Sequence, residues 1–245
     1  MSERFFDVAD FAYAHRGLWN SATPENSLAA FRAAAAAGVG VELDVRLSVD
    51  GRPVVFHDVS LQRMCNHREL IERVAIVDLA RWPLPDGSAI PTLEAVLDIM
   101  AGLPVLIEIK VDGLAGEIAD RVAEAIADRY GPLAVMSFDE PTVARLCRLV
   151  TDRPIGLLCI ADNQVEEDLI AKAATARARG CDYIAPHHSA LEPVASASGG
   201  LPLVTWTIRT QDELQIARDY GAAPIFEGFA ASQLAALALS PRTSI

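Results

Sequence analysis

Along the chain, short runs of β-branched and aliphatic residues alternate with Ala/Leu-rich stretches whose apolar positions recur at helical spacing. That order suits a mostly parallel sheet whose strands are joined by crossover helices. The pattern predicts strands at 11–15, 39–45, 53–57, 104–110, 134–137, 155–159, 182–186, 202–207 and 223–226. It predicts helices near 24–37, 92–101, 114–129, 141–149, 164–179, 210–220 and 230–239. Between 45 and 53 there is no room for a helix, and Ser48-Val49-Asp50-Gly51 reads as a turn. Thr23 as a cap, Pro24 at the first helical position and Glu25 at the positive dipole end predict the start of the first helix, and Gly38 its end. Residues 58–90 are polar and weakly periodic, with turn chemistry at Arg81-Trp82-Pro83-Leu84-Pro85-Asp86-Gly87, and predict an insertion between repeating units. The terminal Pro-Arg-Thr-Ser-Ile predicts a frayed tail.

A parallel sheet of this kind is either open and doubly wound or closed. The open form usually carries a glycine-rich phosphate loop after its first strand, whereas Gly17 here is followed by Leu18-Trp19-Asn20. The expectation is a TIM-type (β/α)8 barrel with a small insertion after the third strand, forming one domain over residues 1–245. A chain of 245 residues that is 51% hydrophobic can bury one such core. Eight strands close the barrel, so one of the nine candidates is no strand or lies off it.

A formal net charge of -12, with no basic run interleaved with aromatics, argues against nucleic acid and anionic membrane surfaces as partners and leaves a small molecule. The four cysteines have no C-x-x-C spacing and read as reduced thiols. No apolar stretch approaches the roughly 18 residues of a membrane span, and Met-Ser-Glu-Arg-Phe-Phe-Asp lacks the order of a signal peptide. The expectation is a cytoplasmic protein without stable membrane insertion; the sequence sets no oligomeric state.

The chemistry sits on the strands. Side chains alternate faces, so in Val41-Glu42-Leu43-Asp44-Val45 the apolar residues pack outward and Glu42 and Asp44 face the interior. In Val105-Leu106-Ile107-Glu108-Ile109-Lys110 the same rule turns Glu108 and Lys110 inward. Two more apolar strands run into His15-Arg16-Gly17 and His57-Asp58. Each alone fits a loop cap, a salt bridge or a hydrogen-bonded core histidine, but all fall at the strand ends where barrel enzymes build their sites. Three neighbouring carboxylates cannot all stay ionised without compensation: either some are protonated or a cation sits among them, and hard oxygens favour Mg²⁺ or Ca²⁺ over zinc. Arg16 and Lys110 beside a metal make an anion site suited to phosphate. His15 and His57 can then serve as the acid and base that a phosphodiester needs. Asp58 follows directly on a strand and points away from His57, so it carries little weight as its partner. His187-His188 reads as a polar loop, His67 as solvated, and Glu25 and Asn26 as helix-capping residues.

The ordered set His15-Arg16-Gly17, Pro24-Glu25-Asn26-Ser27 with Ala30-Phe31, Glu42-Leu43-Asp44-Val45, Asp50-Gly51, Val54-Val55-Phe56-His57-Asp58, Pro91-Thr92-Leu93 and Ile107-Glu108-Ile109-Lys110 resembles glycerophosphodiester phosphodiesterases. The match is dense over about the first 110 residues and thins to Ser137-Phe138 and Trp206-Thr207-Ile208. The resemblance implies a TIM-type barrel, a divalent metal on Glu42, Asp44 and Glu108, acid/base catalysis by His15 and His57, and phosphate held by Arg16 and Lys110. It also implies that Trp206 lines the glycerol or headgroup pocket, although a barrel-core aromatic is an equal reading. The implied reaction is hydrolysis of a glycerophosphodiester to glycerol 3-phosphate and an alcohol. Lysophospholipase D-type activity, attack by the substrate's own hydroxyl to give a cyclic phosphate, and non-catalytic binding of a phosphometabolite stay open. The chain departs from the family in three places. Glu227-Gly228-Phe229 stands where a Thr-Asp-x-Pro-like sequence is usual, Arg209 where Asn is common, and Met64-Cys65 where threonines are.

Overall fold

The computed structural model describes residues 6–111, 115–160, 165–230 and 232–233. All nine predicted strands form: β1 (Tyr13–His15), β2 (Gly40–Leu47), β3 (Pro53–Val55), β4 (Val105–Ile109), β5 (Leu133–Ser137), β6 (Ile155–Cys159), β7 (Tyr183–Pro186), β8 (Leu203–Ile208) and β9 (Ala222–Phe226). Eight run parallel in the order β1-β9-β8-β7-β6-β5-β4-β2, and β1 also pairs with β2, which closes the barrel. The surplus strand is β3, which lies antiparallel on β2 with Val45 opposite Val55 and Leu47 opposite Pro53. The turn dictates this: Gly51 takes φ 72°, and Ser48 Oγ accepts from the Arg52 amide at 3.0 Å. So short a connection can only return antiparallel.

The helices are α1 (Leu28–Ala37), α2 (Gln62–Cys65), α3 (Ile76–Leu79), α4 (Leu93–Ile99), α5 (Ala115–Ile126), α6 (Glu140–Leu149), α7 (Glu166–Arg179), α8 (Leu191–Ala197) and α9 (Gln211–Asp219). The helix expected at 230–239 falls largely outside the described residues, and the expected tail wholly so. Helix α8 was not predicted; it is short, contains Pro193, and has Leu191 and Val194 as its buried apolar residues, too few to set a period.

The first helix begins at Leu28 rather than 24, because Asn26 adopts φ 55°, which a right-handed helix excludes. Ser27, not Thr23, is the cap, its side chain accepting from the Ala30 amide. Gly38 ends the helix in the left-handed conformation, as predicted.

The strand faces separate as the alternation requires. Val41, Leu43, Val45, Val105, Ile107 and Ile109 join the outer cluster with helix residues such as Phe31, Val96 and Val122. Tyr13, Leu106, Met136, Tyr183, Val204 and Ile225 belong to the inner cluster that fills the barrel. A Cβ at Gly156 would lie 2.3 Å from the Tyr183 ring, so glycine is required for that filling. Val8, ahead of β1, joins the same cluster and accepts the Tyr13 hydroxyl at 2.9 Å. Above this layer, toward the C-terminal strand ends, the inward positions become polar. The insertion has a cluster of its own, including Phe56, Leu61, Ile71 and Leu79.

Candidate active site

Strand register brings the acidic residues together. His15 stands beside Glu42 across the β1–β2 pair, and Asp44 beside Glu108 across β2–β4. One carboxylate oxygen from each of Glu42, Asp44 and Glu108 lies within 4.8 Å of the others, and all three residues are buried. Among the described residues, Glu42 Oε1 has no hydrogen-bond partner despite its burial. An orphaned carboxylate oxygen in such a place costs a large desolvation penalty unless a cation meets it. This donor set, all hard oxygen, fits Mg²⁺ or Ca²⁺.

Electrostatics divide the three. Burial, with Asp44 and Glu108 alongside, pushes the Glu42 carboxyl well above the usual range. Burial also raises Glu108, with Asp44 adding to it and Lys110 opposing. Asp44 goes the other way: burial would raise it, but Lys110 and Arg16 hold it below the ordinary carboxylate value. Lys110 Nζ lies 3.1 Å from Asp44 Oδ1 and 2.6 Å from Glu108 Oε1, and Arg16 Nε 3.2 Å from Asp44 Oδ2. All three contacts are ion pairs, and Asp44 Oδ2 also accepts a hydrogen bond from Asn26 Nδ2.

Arg16 reaches the site because the chain turns sharply after β1, with Arg16 at φ 59° and Gly17 at φ 83°. A Cβ on Gly17 would press to 2.9 Å on the Ala30 side chain. Non-glycine residues in this region of backbone space concentrate at functional sites. The Arg16 amide donates to Glu42 Oε2 at 3.2 Å and its Nη1 to Glu25 Oε1 at 2.8 Å. Asn26 Nδ2 donates to Asp44 Oδ2 at 2.8 Å. Glu25 and Asn26 are therefore not capping residues but supports of Arg16 and Asp44. The family-like Pro-Glu-Asn-Ser run already contained both.

Asp58 also reverses expectation. Its Oδ1 is 2.8 Å from His57 Nδ1, because β3 ends at Val55 and strand alternation no longer governs residues 57 and 58. Arg63, from α2, clamps Asp58 through Nε at 2.7 Å and Glu25 through Nη2 at 2.7 Å. Burial would raise Asp58, but Arg63 and His57 hold it at about 2. Burial lowers His57 below the ordinary imidazole value.

His15 is served from the neighbouring strand, by Glu227 just past the end of β9: Nδ1 lies 2.7 Å from Glu227 Oε2. In the sequence alone, residue 227 stands out only as a departure from the resembled pattern. The signal was its parity, since Ala223 and Ile225 belong to the inner cluster and 227 continues their face. Arg46 was missed in the same way. It extends the inward series 42, 44, 46, is buried, and donates from Nε to the His57 carbonyl at 2.7 Å.

A cavity of about 410 Å³ opens beside the carboxylates, lined by Arg46, His57, Glu108, Lys110, Phe138 and Asp139 among others. Trp206 does not line it directly. It sits edge-on to Phe138 at 5.4 Å and to His187 at 5.0 Å, with Nε1 donating to the Ala185 carbonyl at 2.9 Å. His187 turns to Ser189, and His188 lies 3.7 Å from Glu213, so neither joins the carboxylates. His67 is not free in solvent but stacked on Trp82 at 4.3 Å.

The sequence pattern of the glycerophosphoryl diester phosphodiesterase family matches residues 15–230. A Mycobacterium tuberculosis protein named "probable glycerophosphodiester phosphodiesterase 1" is 30% identical over 246 aligned positions, covering 87% of each chain. The structure of a glycerophosphodiester phosphodiesterase from Thermotoga maritima superposes with a TM-score of 0.73 at 26% identity, over 89% of this chain and 93% of that one. A phosphodiesterase from Oleispira antarctica, solved with its product sn-glycerol-3-phosphate, shares the fold at a TM-score of 0.81 and 24% identity, over 93% and 96% of the two chains. A closed eight-stranded barrel, an acidic cluster at its C-terminal mouth and these likenesses together lead to one assignment: the chain belongs to the glycerophosphoryl diester phosphodiesterase family and is a phosphoric diester hydrolase.

Proposed function

We propose that this enzyme hydrolyses glycerophosphodiesters to glycerol 3-phosphate and an alcohol, using a divalent cation, Mg²⁺ or Ca²⁺, held by Glu42, Asp44 and Glu108. The observation that carries this reading is the meeting of those three buried carboxylates within 4.8 Å, with Lys110 and Arg16 at their edge. When bound, such a cation polarises a phosphoryl oxygen and neutralises developing charge. Arg16 and Lys110 add fixed positive charge for the non-bridging phosphate oxygens. His15 and His57 each have Nδ1 turned to a carboxylate, which leaves Nε2 for proton transfer. One takes a proton from the attacking water as its oxygen bonds to phosphorus; the other returns a proton to the alkoxide as its bond to phosphorus breaks, which yields glycerol 3-phosphate and the alcohol. Phe138, with Trp206 behind it, supplies an apolar wall for the glycerol or headgroup carbons.

The test is release of glycerol 3-phosphate from glycerophosphocholine by protein stripped with EDTA, then supplied with each metal in turn. Activity should vanish with the chelator, return with Mg²⁺ or Ca²⁺, and be lost in Glu42→Ala. Full turnover in excess EDTA contradicts the proposal. Phosphorus NMR of the products separates hydrolysis from ring closure to a cyclic phosphate.

A further inference from the structure

Arg209, just past β8, and Glu227, just past β9, touch each other. Arg209 Nε lies 2.6 Å from Glu227 Oε1, and the other oxygen of the same carboxylate, Oε2, lies 2.7 Å from His15 Nδ1. Both ends of this bridge are held by backbone. The Glu227 amide donates to the Ile208 carbonyl at 3.1 Å, continuing the β8–β9 pairing. The Arg209 amide donates to Glu213 Oε2 at 2.6 Å, joining the capping box that starts α9. Burial would raise the Glu227 carboxyl, but its bonds to His15 and Arg209 hold it at about 2. At neutral pH the group is a carboxylate and can only accept. The hydrogen between it and the imidazole therefore sits on Nδ1, which leaves Nε2 as the nitrogen that can exchange a proton with substrate. That nitrogen faces the acidic cluster, 3.9 Å from Glu42 Oε2.

We propose that Arg209 and Glu227 form a positioning pair for His15, with Glu227 fixing the Nδ1–H tautomer and aiming Nε2 at the reacting phosphodiester, and Arg209 fixing Glu227. This rests on the reading of His15 as an acid/base group. The competing role is a latch that merely ties the ends of β8 and β9 together. Fixing a catalytic imidazole's tautomer with a carboxylate is a recurring arrangement in hydrolases, and losing it acts on turnover rather than on substrate affinity.

The experiment measures kcat and KM for glycerophosphocholine in Glu227→Gln, Arg209→Leu, Arg209→Lys, the Glu227→Gln/Arg209→Leu double variant and His15→Ala, with ring-nitrogen NMR of His15 in the wild type and Glu227→Gln. Glutamine offers either end of its amide to the ring, so Glu227→Gln should lower kcat by about 100-fold with KM within about twofold, and His15 should show a mixed tautomer. Arg209 is half exposed, so its loss leaves the fold intact. Arg209→Leu should lower kcat by about five- to tenfold, Arg209→Lys should recover part of that, and the double variant should be no slower than Glu227→Gln alone. If His15→Ala is inactive while Glu227→Gln and Arg209→Leu keep kcat within about twofold, the pair is a latch and the proposal is overturned. If His15→Ala keeps full turnover, the acid/base reading of His15 falls first.

Discussion

The two histidines of the site have the same surroundings reached by opposite routes. Each has Nδ1 on a carboxylate that is in turn clamped by an arginine: His57, Asp58 and Arg63 on one side, His15, Glu227 and Arg209 on the other. The His57 arm is local, spanning seven residues at the start of the insertion. The His15 arm joins residues 212 positions apart and exists only because β9 pairs with β1. Equivalent chemistry can thus depend on a short loop in one case and on closure of the whole barrel in the other. The arms should respond differently to perturbation.

Removing the imidazoles themselves should have the largest effect. His15→Ala and His57→Ala should each lower kcat by about 10²–10⁴-fold in the glycerophosphocholine assay, and a variant with near wild-type turnover removes that histidine from the chemistry.

Loss of the local carboxylate comes next. Asp58→Asn should cost about 10–100-fold in kcat, and Arg63→Ala less, with KM little changed. An Asp58→Asn enzyme as fast as wild type would mean that only the long-range arm matters.

Weakening the barrel under one arm separates them further. Ile225 is buried on the inner face of β9, below Glu227. Ile225→Ala should cost about 2–5 kcal/mol of stability in urea denaturation. Well below the unfolding midpoint, the ring-nitrogen NMR signals of His15 should shift while those of His57 stay in place. Equal shifts at both rings would break the contrast.

The smallest effect is on stability against pH. Asp58 is held at about 2 in the folded protein against an ordinary 3.8. A depressed folded value gives stability that is present above the unfolded pKa and lost as pH falls through the folded one. The wild type's margin over Asp58→Asn should therefore be full above about pH 5 and gone near pH 2, and modest throughout because the group is partly exposed. A margin that grows on acidification contradicts the ion pairing.

Much of this was readable in the sequence, and the parts that were not have physical reasons. The inward carboxylates followed from alternation on β2 and β4, because strands buried on both faces leave polar residues only one place to be. The surplus strand was foreseen as a count but identified only by the pairing of β3 on β2. Alternation carried past the end of β3 at Val55 turns Asp58 away from His57, whereas the chain beyond the strand is free to bring the two together. Glu25 and Asn26 were assigned to a helix start that the positive φ of Asn26 moves to Ser27. Glu227 and Arg209 could not be linked to His15 from spacing, since their meeting depends on how a closed sheet joins its first and last strands.

Whether Glu42, Asp44 and Glu108 hold one divalent cation is tested most directly by calorimetric titration of Mg²⁺ and Ca²⁺ into EDTA-stripped protein. Single-site binding is expected in the wild type, and its loss in folded Glu42→Ala and Asp44→Ala. Binding of equal strength in those variants, or none in the wild type, contradicts it.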